Sequence, residues 1–356
     1  MTQPAAPMLE LPEQSERSEQ SEQSIQDQPA QPERDAAANT LSSYQAALAS
    51  GLLPIREVAR STGVNAVTLR AWERRYGLIV PQRTPKGHRL YSPAHVERIQ
   101  AILTWLNRGV SVSQVKALLD TREPSALSAD TPWEELRQEL LQAIGALAER
   151  RLDDGFNQAL ALYPPAILCE HLLVPLLADL QQRWQSQFGA QLEQGFFYSW
   201  LRSKLGARIY HNNCHNYSSR QSQSPAAPAA PLLLVNLSNL ALEPGLWLCA
   251  WLASSADCPV QVLDWPLPVG ELQLAIDTLA PRALLLYSSQ ALDAAQLRQQ
   301  LPRLHDSCPV PLLLAGAAAQ IHHQELAGLS ALHLADDPLS ALHSLLRQGL
   351  LDSRAR

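Results

Sequence analysis

Positive charge is the first chemistry the sequence offers, and it is concentrated. Residues 53–122 hold 12 Lys/Arg against 4 Asp/Glu, whereas the rest of the 356-residue chain holds 16 against 30. A basic island in an acidic chain points to a polyanion contacted at one place. Within it, the spacing of Thr68, Arg70, Ala71, Arg74 and Arg75 predicts an outward helix face, with Leu69 and Trp72 turned to the core. Arg83, Lys86, His88 and Arg89 cluster around Thr84-Pro85-Lys86-Gly87, a turn sequence. Cations on a helix face and on a hairpin tip suit base edges and phosphates. The competing reading of so basic a segment is a small helical domain that binds protein or RNA.

Other reactive residues carry less. His211-Asn212-Asn213-Cys214-His215 offers two imidazoles and a thiol to a metal, but no second ligand cluster accompanies it, so it reads as the start of a polar linker. His322 and His323 adjoin on an expected helix and point to different faces. Cys169, Cys214, Cys249, Cys258 and Cys308 have no metal-ligand spacing, which predicts reduced thiols in a cytoplasmic protein. No Walker-type or Gly-x-Gly-x-x-Gly loop follows an expected strand, and Ser288-Ser289 lacks the glycines of a nucleophile elbow. No catalytic residue, metal or cofactor is therefore expected, and the protein does not read as an enzyme. No apolar run reaches the roughly 18 residues of a membrane span. The N-terminus lacks a basic segment followed by an apolar core, so neither a signal peptide nor a membrane contact is expected.

The elements that must position the cations are legible. Ile55, Val58 and Ala59 predict a short helix, Thr62-Gly63-Val64 a tight turn, and Asn65 the N-cap of a second helix over Ala66–Tyr76. Two helices so joined form a helix-turn-helix unit. Leu78–Val80 and His88–Tyr91 are expected to pair as the two strands of a basic wing. Ser92-Pro93 predicts an N-cap with proline at the first helical position, then an apolar face through Val96, Ile99, Ile102, Leu103 and Leu106. Gly109 should end that helix, and Ser111 or Ser113 should start another.

The chain as a whole reads as multidomain. Residues 1–48 are predicted to be a disordered tail, built on Glu-x-Ser triplets. Residues 53–122 form the mostly α, winged helix-turn-helix domain. Residues 130–215 show helical periodicity and predict a bundle. Residues 216–230 read as a Ser/Gln/Pro/Ala linker. From 231 to 351, short apolar runs at Leu232–Leu237, Val260–Leu263, Ala283–Tyr287, Val310–Ala315 and Ala331–Leu334 alternate with helical stretches such as Glu271–Leu279. That alternation predicts a doubly wound, flavodoxin-like α/β domain with a parallel sheet.

The stretches VTLRAWERRYGL and PQRTPKGHRLYS resemble the DNA-binding domain of the MerR family of transcription regulators, in the branch that includes the MlrA-type regulators of curli and biofilm genes. The resemblance implies a homodimer on a pseudo-palindromic promoter, with the helix-turn-helix over Arg56–Arg75 and the wing over Arg83–Tyr91. It implies DNA contacts that include Arg56 and Tyr91, and transcriptional activation through RNA polymerase as in many members, others of which repress, with signalling proteins acting on the C-terminal half.

The remaining chain resembles the cobalamin-binding sensor half of some members, and departs from it at the chemistry. The family's capping pattern is a Trp followed ten and eleven residues later by Glu-His; from Trp184 those positions hold Gln194 and Gly195. The family's Asp-x-His-x-x-Gly, whose His ligates cobalt, aligns on Gly245 with Leu240 and Leu242 in place of Asp and His. The resemblance thus implies a retained fold without His-ligated cobalamin, and leaves a ligand-switched regulator, taking a corrinoid or another small molecule, as the alternative.

Overall fold

The computed structural model describes residues 50–120, 131–185, 188–223 and 230–351. The predicted tail over residues 1–48 lies outside the described residues.

In the basic domain, strand β1 (Leu53–Pro54) leads into helix α1 (Ile55–Thr62), which Gly63 closes at φ +71°. Asn65 then caps α2 (Ala66–Ala71): its Oδ1 accepts from the Thr68 backbone N–H at 2.8 Å. The chain continues as one wider π-turn, Trp72–Tyr76, so the expected helix over 66–76 forms with a change of pitch. Helices α3 (Pro93–Asn107) and α4 (Val112–Asp120) complete the domain, α3 starting at the expected Ser92 cap.

The wing is built differently from the sequence expectation. Leu78 and Ile79 are buried and join no strand; β2 is Gln82–Arg83, paired antiparallel with β3 (Arg89–Tyr91), which also pairs with β1. The apolar pair is drawn into the core below the Trp72 turn, and Pro81, lacking an N–H, separates it from the ladder. The tip is closed by Thr84, whose N–H donates to the His88 carbonyl (2.9 Å) while its hydroxyl accepts from the His88 N–H (3.0 Å).

The bundle comprises α5 (Thr131–Gly145), α6 (Glu149–Leu162), α7 (Pro165–Leu168), a π-turn at Cys169–Leu173, α8 (Val174–Trp184) and the long α9 (Ala190–Gln223). The basic domain is tied to it through aromatic donors. The Trp72 indole N–H donates to the Leu162 carbonyl and the Trp133 indole to the Gly109 carbonyl, each at 2.9 Å.

The segment predicted as a linker from residue 216 is helical as far as Gln223. Tertiary contacts override its polar composition. Asn213 exchanges hydrogen bonds with both backbone groups of Val260 (2.8 and 3.0 Å), and the Asn216 amide donates to the Ser254 carbonyl (3.0 Å). His211 and His215 therefore sit one helical turn apart with ring centroids 4.9 Å apart. Among the described residues no group of three or more His, Cys, Asp and Glu is placed to hold a metal.

The last domain is a five-stranded parallel sheet, β4 (Leu232–Asn236), β5 (Val260–Leu263), β6 (Ala283–Tyr287), β7 (Leu312–Ala315) and β8 (Leu332–Ala335), in the order β5-β4-β6-β7-β8. The central strands β4, β6 and β7 are apolar almost throughout, β4 ending on Asn236, because helices cover both faces. Helix α10 (Pro244–Ser255) is buried along nearly its whole length between the sheet and α9.

Candidate nucleic-acid interface

Helix α2 and the π-turn that continues it present a cationic side to solvent. Arg70, Arg74 and Arg75 are exposed there, and Arg56 is exposed on α1; Lys86 and His88 are exposed on the wing. These residues stand where the sequence expects them. Ala71 is half-buried against the core.

Two expected contact residues are turned inward. Thr68 is fully buried and its hydroxyl finds no hydrogen-bond partner among the described residues. The Asn65 cap fixes the helical phase, which puts residue 68 on the side of Trp72, one turn on and tied to Leu162. Tyr91 is buried too, at 1% exposure, and burial, reinforced by the Glu73 charge, pushes its hydroxyl up to about 12. Its ring is core that supports the wing. What sequence reasoning missed is Val67, which is 59% exposed beside the arginines. The signal was present in the spacing: Val67, Arg70 and Arg74 recur at i, i+3 and i+7.

Two wing arginines are held by one carboxylate. Glu73, on the turn after α2, takes Arg83 at 2.7 Å on one oxygen and Arg89 on the other. Burial alone would raise the Glu73 carboxyl; the hydrogen bonds and charges of Arg89 and Arg83 outweigh it and hold it below the ordinary carboxylate range. Arg89 is nearly enclosed, whereas Arg83 remains half-exposed at 49%. The clamp ties the wing to the turn that continues α2, so the two cationic surfaces share one anchoring carboxylate.

The edge of the parallel sheet has the opposite character. After β4, the Asn236 amide donates to the carbonyls of Leu240 (2.8 Å) and Asp264 (3.0 Å), while its oxygen accepts from the Ser238 N–H and hydroxyl. Glu243 is buried and accepts from the Ser289 hydroxyl (2.7 Å) and N–H (3.2 Å). The Trp247 indole donates to Asp264 at 2.6 Å, with the Arg202 guanidinium 5.8 Å from its ring centroid. Burial raises both carboxyls, Glu243 and Asp264, despite these hydrogen bonds.

These residues do not fit a His-ligated cobalamin. Leu240 and Leu242 are half-buried, and Leu242 packs on the core. The Tyr287 side chain fills the space between the start of α10 and Gly316: a Cβ on Gly245 would lie 2.0 Å from the Tyr287 hydroxyl, and one on Gly316 3.0 Å from its ring. In the bundle, the Trp184 indole donates to Glu193 at 3.2 Å and packs edge-on against Tyr198.

Known proteins place these features in context. The MerR HTH family regulatory protein profile matches residues 53–122, and a B12 binding domain profile matches residues 136–208. The HTH-type transcriptional regulator MlrA of Escherichia coli (strain K12) is 32% identical over 249 residues, covering 70% of this chain and 93% of that protein. The HTH-type transcriptional repressor CarH of Myxococcus xanthus is 26% identical over 286 residues, covering 75% and 90%. Among solved structures, the methanol:cobalamin methyltransferase complex MtaBC from Methanosarcina barkeri covers 66% of this chain and 91% of the matched chain at 13% identity. Its TM-score of 0.31 is too low to carry an argument.

Proposed function

This chain belongs to the MerR-type HTH transcriptional regulators, in the company of MlrA, and from that premise we propose that it binds promoter DNA as a homodimer and activates transcription there. The observation that carries the reading is the exposed cationic side of α2 and its π-turn, joined through Glu73 to a basic wing. A helix of this kind enters the major groove, and Arg70 and Arg74 reach base edges or phosphates there. Arg56, Arg75, Lys86 and His88 contact the backbone and set register. Arg83, being half-exposed, can turn from Glu73 to a phosphate; Arg89 chiefly holds the wing. The acidic remainder of the chain opposes indiscriminate DNA binding. RNA polymerase, and signalling proteins acting on the C-terminal half, are the further partners of this reading, and genes of the curli and biofilm type are its targets.

An electrophoretic shift on a promoter selected from genomic fragments tests it. Arg74→Ala should weaken binding roughly tenfold or more. Lys86→Ala should lower the slope of log affinity against log salt by about 1. Unchanged affinity in both variants removes the assigned surface.

A second reading, a regulator switched by a small molecule, is favoured by the match of residues 136–208 to the B12 binding domain and by the parallel sheet beyond them. The closed sheet edge argues against a corrinoid held by a histidine. Visible absorbance after incubation with cobalamins and desalting tests it, and a colourless protein counts against a corrinoid.

A further inference from the structure

Val67 is the one large apolar side chain that α2 leaves open to water, at 59% exposure, and it stands among cations. It belongs to neither apolar core. Its position is fixed by local structure: the Asn65 cap sets the phase of the helix, and the burial of Thr68 and Leu69 forces residue 67 to the opposite side. At 100° per residue, Val67, Arg70 and Arg74 fall within an arc of roughly 60°. Val67 is also the second residue of the helix, at the end that a recognition helix points at base edges.

We propose that Val67 reads thymine, by packing its methyl groups on a thymine C5-methyl in the major groove. The inference rests on the DNA-binding reading above and deepens it. The two arginines that follow it on the same side, Arg70 and Arg74, select a polyanion as the occupant of this face. Within the major groove, the methyl group that base edges display is that of thymine, set among hydrogen-bond donors and acceptors. An exposed valine one and two turns ahead of two arginines on the same helix side therefore has a matching feature on duplex DNA in that methyl.

The test uses the full-length protein and duplexes selected from a random pool by the wild type. Each thymine of the selected half-site is replaced singly by uracil, which removes the methyl and keeps the base pair. Wild-type affinity should fall three- to tenfold at one thymine per half-site, the worth of about one buried methyl-sized contact. Val67→Ala should bind the unmodified site three- to tenfold more weakly and be indifferent to uracil at that thymine, with its thermal midpoint unchanged. If no single uracil weakens the wild type, or if Val67→Ala retains the full uracil penalty, the assignment is overturned. If Val67→Ala alters the sedimentation of the free protein and leaves thymine dependence intact, the valine is a protein contact and the assignment is again overturned. If the wild type selects no duplex, the DNA-binding reading itself falls, which the first two failures do not imply.

Discussion

Two surfaces of this molecule, the cationic face of α2 with its wing and the loop edge of the parallel sheet, treat polar groups in opposite ways. On α2 and its π-turn, Arg70, Arg74 and Arg75 stay exposed, and the half-buried carboxylate nearby, Glu73, fixes geometry. At the sheet edge, Asn236, Ser238, Glu243, Asp264 and Ser289 bond to one another or to local backbone. Tyr287 fills the space between the start of α10 and Gly316, and Trp247 is bonded to Asp264. A surface waiting for a partner keeps its donors unspent; a surface that bonds to itself has little left to offer. Even their carboxyls titrate apart: Glu73 lies below its ordinary value, Glu243 and Asp264 above theirs.

Removing both α2 cations, Arg70→Ala with Arg74→Ala, should have the largest effect. At about 1–3 kcal/mol per contact, promoter affinity should fall on the order of a hundredfold or more, with the thermal midpoint unchanged. Trp247→Ala should do the reverse. It should cost about 2 kcal/mol in chemical denaturation, less than a fully buried Trp because the ring is half-exposed, and leave DNA affinity intact. A loss of DNA binding at that site would join the two surfaces functionally and break the contrast.

Glu73→Gln should cost about 1–2 kcal/mol of stability at neutral pH. Its folded pKa is depressed, so the wild-type clamp contributes fully above the ordinary carboxylate range and is lost as pH falls through the depressed value; the variant should lack that acid limb in urea titrations across pH. Glu243→Gln should show the smallest change and the opposite sign. A raised folded pKa makes the wild-type carboxylate a liability as pH rises through it. The variant should therefore gain under about 1 kcal/mol near neutrality, and the gain should vanish in acid.

The sequence was most legible where one periodicity governs a whole element. The runs at Leu232, Val260, Ala283, Val310 and Ala331 all become strands within two residues of their expected starts, because parallel strands buried on both faces must be apolar throughout. Caps were legible for the same reason: Asn65 and Ser92 each satisfy an orphan N–H in the one way open to them. Legibility failed where tertiary contact decides. Thr68 and Val67 differ by one position in a helix; the spacing of Val67 with Arg70 and Arg74 hinted which is open, and the Trp72 bond to Leu162 decides which side is covered. The wing strands slipped past Pro81 because Leu78 and Ile79 were needed in the core. The polar end of α9 looked like a linker because the asparagine contacts to Val260 and Ser254 are invisible locally.

The Trp72–Leu162 hydrogen bond has a consequence for information flow. It joins the turn that ends the recognition element to the last residue of α6, so the head cannot reorient without either carrying that helix end along or surrendering the bond. Any agent that prefers one placement of α6 must then change DNA affinity by some factor. By reciprocity, the operator must change that agent's affinity by the same factor. Where an agent and the operator both prefer one placement of α6, a titration of either in the presence of the other measures one shared quantity.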